Sequence, residues 1–254
     1  MKFTARLIYF ISFFVGNILA SGITGSTSAA PKLKLVYFDA KGAAEMARIL
    51  MKIGDVPFED FRYPIKTKEG GGFETTEFTA AKTAGELTPN MDRVPILYVD
   101  DIPIGQSKAI ERYISHRCNL MGKSDIEAVQ IDCVTEHVRD IKEKWGKIRF
   151  MGGFGPNPEK DAAMKKWFDE GELTEWLIKL EKSLPPSQED GYAVGSSTSY
   201  ADICIWNLIC DYFDNKEGIA KSAKPCERLC KIAEKVGELD PVKSWLSERP
   251  QTMF

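Results

Sequence analysis

Residues 93–114, RVPILYVDDIPIGQSKAIERYI, constrain the fold of this 254-residue chain more than any other stretch. Val94, Ile96 and Tyr98 alternate with Pro95, Leu97 and Val99, the two-residue period of a strand. Asp100-Asp101 supplies turn chemistry, and Ile102 to Gly105 is long enough for the return strand of a hairpin. A helix opens at Gln106-Ser107. Ser107 reads as its N-cap, and Ala109, Ile110, Tyr113 and Ile114 form one apolar face behind it. A helix start leaves free N–H groups and the positive dipole end facing outward, where a carboxylate or phosphate can sit. Capping alone is the ordinary use of such a serine. Pro95 at the strand's start is best explained by a cis Val94–Pro95 bond, with a trans proline at the first strand residue as the alternative.

Upstream, Lys32 to Phe38 reads as a strand with Leu33, Leu35 and Tyr37 on one face and Val36 and Phe38 on the other. A helix carrying Ala43, Met46, Ala47, Leu50 and Ile53 follows, stopped by Gly54. Val56 to Tyr63 is the next strand, closed by Pro64. Strand, helix and strand within about 30 residues make a βαβ unit with parallel strands. Gly70 to Gly72 marks a loop, Phe78 to Lys82 a short helix, and Pro89-Asn90 a break. The order β-α-β-α-β-β-α is that of a thioredoxin-like four-stranded mixed sheet.

After a linker at 119–124 the strand signals vanish. The spacing predicts a long helix over Asp125 to Arg149, a second over Glu159 to Leu184, and a third opened by the capping-box-like Ser199 to Asp202 and running through Phe213. Pro225 to Val236 reads as helical, and Asp240-Pro241 starts a last helix. The expected fold class is therefore α+β. A thioredoxin-like domain spans 31–118, and an all-helical domain spans 125–254.

The first 30 residues follow another plan. Lys2 and Arg6 precede an apolar run from Leu7 to Leu19, then small residues to Ala30. That is the layout of a signal or targeting segment, too short to span a bilayer comfortably. It implies passage into the secretory pathway, or the first part of a bipartite organelle address. Net charge is −3 with no basic block, which argues against nucleic acid. Six cysteines and two histidines lack zinc-site spacing. The cysteines read as core thiols rather than a disulfide framework.

The motifs VPIL…D…IGQSKAI, YF…KGAAE and the Ser199–Asp202 box, in this order and spacing, resemble the soluble glutathione transferases over residues 31–254. The sigma-like class, which includes glutathione-dependent prostaglandin D synthases, is the most similar. The resemblance implies glutathione as substrate, no metal, a small hydrophobic electrophile, and a homodimer. It implies that Tyr37 is the catalytic hydroxyl, hydrogen bonded to the glutathione sulfur. A free thiol has a pKa of about 8.5, so a donor aimed at the sulfur favours the attacking thiolate. It further implies that Gln106 and Ser107 hold the γ-glutamyl end, Val94 and Pro95 the cysteinyl backbone, and Phe78, Lys82 and Arg93 the remainder. Lys82 would pair with the glycine carboxylate.

Two departures stand out. Phe78 replaces the family's tryptophan, and Ala43 replaces an arginine beside the thiol. The electrophile pocket is expected between Ala40 and the long helix near Lys144, Trp145 and Ile148. Asp132 and Glu136 fall near where sigma-like proteins place an acid reaching the partner's glutathione. The alternatives are a non-catalytic glutathione-binding protein of the same fold, or a glutathione-dependent isomerase. A thiol–disulfide reductase would need a cysteine between Tyr37 and Ala43, and none is there.

Overall fold

The structure, a computed structural model, describes residues 30–69, 72–153, 155–186 and 191–252. The expected targeting segment lies outside the described residues. All elements below belong to the compact unit Lys32–Phe254. Its sheet has the order β2-β1-β5-β6, formed by β1 (Leu33–Phe38), β2 (Glu59–Tyr63), β5 (Ile96–Val99) and β6 (Ile102–Gly105). β1 pairs parallel with β2, and β5 runs antiparallel to both β1 and β6. Between β1 and β2 lie a 3₁₀ turn, Gly42–Ala44, and α1 (Glu45–Ile53). The strand expected from Val56 begins only at Glu59, because Pro57 has no N–H to give a ladder. A two-residue hairpin of β3 (Lys66–Thr67) and β4 (Phe73–Glu74) precedes α2 (Thr76–Thr83). It is too short to show a period in sequence.

The strand alternation distributes side chains as expected. Leu33, Leu35 and Leu97 join the main core with α1 and α3 (Ser107–Arg117), whereas Val36, Tyr63 and Ile96 form a second cluster with Ala81 and Leu87. α1 ends against α3 at Gly54, where an added Cβ would lie 2.1 Å from Cys118 Sγ. The left-handed residue there is Asp55 (φ 49°), not Gly54, so close packing rather than backbone conformation explains the glycine.

From α3 onward the described residues form helices. α4 (Asp125–Arg149) is capped by Ser124, whose side chain accepts from the Glu127 N–H. The single helix expected over 159–184 is two, α5 (Pro158–Phe168) and α6 (Glu172–Ser183). They are separated at Gly171, whose φ of 92° no helix can continue through. The Ser199–Asp202 capping box is present, and it opens α7 (Tyr200–Trp206). The chain then widens into a π-helical turn, Asn207–Tyr212. α8 (Lys216–Ala223), whose few apolar positions give no clear helical period, precedes α9 (Glu227–Gly237) and α10 (Asp240–Glu248). No helix among the described residues is long and apolar enough to cross a membrane.

Candidate functional site

The sheet register gathers the candidate residues at one end. β1 and β5 pair Val36 with Ile96, so the next step places Tyr37 opposite Pro95. β5 and β6 pair Ile96 with Gly105, so Gln106 and Ser107 continue from the same edge. Tyr37, Val94-Pro95 and the start of α3 therefore share one rim. Residues up to 70 positions apart, Tyr37 and Ser107, are brought to one rim because strands β1, β5 and β6 are adjacent.

Tyr37 packs its ring against the main core, and its hydroxyl oxygen accepts the Ala43 N–H at 3.1 Å. With an acceptor position filled by that N–H, the phenolic proton remains available for donation outward. Gly42 makes the approach possible. Its φ is +41°, and a Cβ there would sit 2.5 Å from the Tyr37 hydroxyl. The Arg48 guanidinium lies 5.9 Å from the ring centre.

The Val94–Pro95 bond is cis. Val94 lies before the paired part of β5, so its N–H and C=O stand outside the ladder. Asn90, which the sequence marks only as a helix breaker, is buried, 5% exposed. Its side-chain amide donates to Pro95 O at 2.9 Å, and its oxygen accepts the Gln106 N–H at 3.0 Å. One side chain thus ties the start of β5 to the corner leading into α3. Gly105 leaves room for it, since a Cβ there would meet Asn90 at 2.7 Å. No local sequence signal marks it, because its partners lie on two other elements.

Ser107 is the first residue of α3 rather than its cap. Gln106, at φ 67°, occupies the cap position and makes no capping side-chain bond. The left-handed turn out of β6 starts the helix one residue earlier than expected. The Ser107 hydroxyl has no hydrogen-bond partner among the described residues. The first turn of α3 therefore presents N–H groups, a hydroxyl and the positive dipole end together.

α2 reaches the rim through Phe78, which packs on Phe38 and Tyr63 with ring centres 4.8 and 5.9 Å apart. Lys82, on the last turn of α2, is exposed with no carboxylate partner among the described residues. Arg93 is exposed too, and its Nη2 lies 3.8 Å from Met91 Sδ.

Comparison with known proteins gives this rim a context. A family model described as "Glutathione S-transferase, C-terminal domain" matches residues 139–249. Glutathione S-transferase 1 of Ascaris suum is 30% identical over 225 residues, covering 88% of this chain and 100% of the relative. The chain belongs to the glutathione S-transferase family. Mouse hematopoietic prostaglandin D synthase is 29% identical over 227 residues, covering 87% of this chain and 98% of that protein. The solved glutathione S-transferase of Ascaris lumbricoides superposes with a TM-score of 0.69 at 29% identity, covering 88% of this chain and all of that one.

Set beside the family pattern, Ala43 loses a side-chain cation but keeps the backbone N–H that holds Tyr37. Phe78 cannot donate a hydrogen bond, but it fills the aromatic cluster. The expected pocket lining on α4 needs correction. Trp145 and Ile148 are buried, and Trp145 packs on Trp167, Phe168 and Phe213 inside the helical core. Lys144 pairs with Glu172 at 3.3 Å. The helical period did not reveal which face of α4 meets α5 and α6. Asp132 and Glu136 are both tied to Arg112 within this chain, at 2.6 and 2.5 Å.

The charged groups behind the rim are mostly paired. Buried Glu111 accepts from Lys108 at 2.7 Å and also from the Tyr200 hydroxyl, joining α3 to α7. Lys142 differs. Its amine donates to Asn207 Oδ1 at 2.6 Å and lies 4.7 Å from the Tyr212 ring centre, and no carboxylate pairs with it among the described residues. Burial pulls its pKa down to about 8, helped by repulsion from Lys108. All six cysteines are unpaired thiols. Cys204 and Cys226 are core residues, and burial pushes each up to about 11. Cys133 and Cys210 are exposed, contrary to a purely core role. Among the described residues no cluster of His, Cys, Asp or Glu could hold a metal ion.

Proposed function

We propose that this protein is a glutathione transferase that joins the glutathione thiolate to small hydrophobic electrophiles, with Tyr37 stabilising the thiolate. The observation that carries the reading is the Tyr37 hydroxyl, anchored by the Ala43 N–H at 3.1 Å on the rim that also holds Val94 and Ser107. Glutathione presents a carboxylate-bearing γ-glutamyl end, a peptide-like cysteinyl centre and a terminal carboxylate. The α3 start with Gln106 and Ser107 suits the first. The unladdered backbone of Val94, held beside Pro95, suits the second. Lys82, on α2 and without a carboxylate partner among the described residues, suits the third, with Phe78 and Arg93 flanking. The thiol then lies toward Tyr37. Its proton leaves to solvent, the thiolate accepts the tyrosine hydrogen bond, and sulfur attacks the electrophile, whose leaving group departs or whose double bond takes a proton.

We further propose sigma-like class membership and a homodimer. Ile126 and Val129, three residues apart on α4, leave 69% and 59% of their surfaces exposed, apolar area that a second copy would cover. The amino-terminal segment is proposed to direct the chain into the secretory pathway.

The test is conjugation of glutathione to chlorodinitrobenzene by purified protein. A hydrogen bond to a charged group contributes about 1.5–3 kcal/mol. Tyr37→Phe should therefore lower kcat/KM by about 10- to 150-fold. Full activity in that variant rejects the role of Tyr37. Glutathione binding without any turnover in the unaltered protein favours the non-catalytic alternative.

A further inference from the structure

We infer that Trp245 and Arg249, at the far end of the chain, are positioning residues for the Tyr37 hydroxyl. The inference rests on the reading of Tyr37 given above. The path is continuous. Arg48 is fully buried in α1, and its Nη1 donates to Ala40 O at 2.8 Å and Lys41 O at 3.4 Å. Those carbonyls belong to the turn between Tyr37 and Ala43. Arg48 Nε is held by both Asp60 oxygens at 3.1 Å. On its other side Arg48 Nη1 meets Glu45 Oε2 at 3.3 Å.

Glu45 is itself buried, 5% exposed. Its Oε1 accepts from Trp245 Nε1 at 2.9 Å and from Arg249 Nη1 at 3.0 Å. Arg249 is in turn gripped by Asp211 through two bonds of 2.7 and 2.9 Å. Burial alone would raise the Asp211 carboxyl, but Arg249 outweighs it and holds the group below the ordinary carboxylate range. Asp211 belongs to the π-helical turn, a rare conformation associated with functional sites.

A buried carboxylate that loses its donors must find others or move. Glu45 without Trp245 or Arg249 loses one of its donors, and the 3.3 Å contact with Arg48 will tighten at the expense of Arg48's grip on the Ala40 and Lys41 carbonyls. The turn then drifts, and Ala43 no longer fixes the Tyr37 oxygen. Alignment decides the strength of a hydrogen bond to a thiolate.

The experiment uses the full protein with Trp245→Phe, Arg249→Met, Arg249→Lys and, as a control, Leu246→Ala, which loosens the same helix without touching Glu45. In Trp245→Phe and Arg249→Met the acid limb of the kcat/KM profile should move alkaline. That lowers conjugation at pH 6.5 by roughly three- to tenfold, with recovery at high pH. Arg249→Lys should restore most of the loss, and Leu246→Ala should keep the original profile. A second readout needs no turnover: the ring-carbon resonance of Tyr37 in ligand-free protein should shift in the first two variants and stay in the control. Folded Trp245→Phe protein with an unchanged pH profile and an unchanged Tyr37 resonance overturns the inference. If the unaltered protein conjugates nothing, the transferase reading fails while the resonance still decides the brace. Trp245→Phe, which keeps the ring's packing, carries the test should Arg249→Met not fold.

Discussion

Replacing Asn90 with alanine should damage stability and glutathione binding together. The side chain is 5% exposed and makes two hydrogen bonds, to Pro95 O at 2.9 Å and from the Gln106 N–H at 3.0 Å. Alanine leaves the buried Pro95 carbonyl and the half-buried Gln106 N–H without these partners. Each orphaned buried group costs about 1–3 kcal/mol. Some relaxation toward solvent at the rim brings the expected total to about 2–4 kcal/mol. For a chain of this size 1 kcal/mol moves Tm by about 2–4 °C, so a drop of roughly 5–15 °C is expected. The same change frees Val94-Pro95 from Gln106-Ser107, the two segments proposed to hold different ends of glutathione. The dissociation constant should rise about tenfold, since the ligand must then order both. Differential scanning calorimetry and titration calorimetry measure the two effects. Asn90→Asp separates the bonds, because it keeps an acceptor for Gln106 but sets a carboxylate against the Pro95 carbonyl. A Tm within 1 °C and affinity within twofold in Asn90→Ala would refute the reasoning.

Further outcomes follow from the same geometry. Gly42→Ala places a Cβ 2.5 Å from the Tyr37 hydroxyl at a φ of +41°, so kcat should fall by about tenfold or more while the fold persists. Steady-state kinetics beside circular dichroism checks this. Lys142 has a folded pKa of about 8 against an ordinary 10.5. Below pH 8 both folded and unfolded chains hold that proton, and between about 8 and 10.5 only the unfolded chain does. Stability from Lys142 should therefore rise across that window, by at most about 3 kcal/mol. The raised thiols Cys204 and Cys226 act in the opposite direction at alkaline pH. The contribution appears as the difference between unaltered protein and Lys142→Met in urea denaturation at pH 7.5 and 9.5. An identical pH dependence in both would contradict it.

How far the fold could be read in advance depended on the range of each signal. The stretch 93–114 carried its own strand period, turn and helix start, and the hairpin and α3 lie within it. The 25 residues of α4 were legible as one long periodic run. The break at Gly171 was hidden because α5 and α6 have apolar positions that join into one apparent stripe. α8 carries only a few apolar residues in eight and left a weak pattern. At the rim, Tyr37, Pro95 and Ser107 were visible through local motif and strand position. Asn90 was not, because its partners come from two other elements. The Glu45 contacts with Trp245 and Arg249 span 200 and 204 positions, a separation that no local pattern encodes. That Trp145 and Ile148 pack into the helical core could not be read in advance, because periodicity says which residues share a face but not which neighbour covers it.

The most direct test of the role of Tyr37 is the titration of the bound glutathione thiol, followed by thiolate absorbance in the unaltered protein and in Tyr37→Phe. A free thiol titrates near about 8.5. A midpoint well below that value is expected in the unaltered complex, returning toward it by at least about one pH unit when the hydroxyl is removed, for a hydrogen bond of about 1.5–3 kcal/mol. Equal midpoints in the two proteins, with glutathione bound in both, would contradict it.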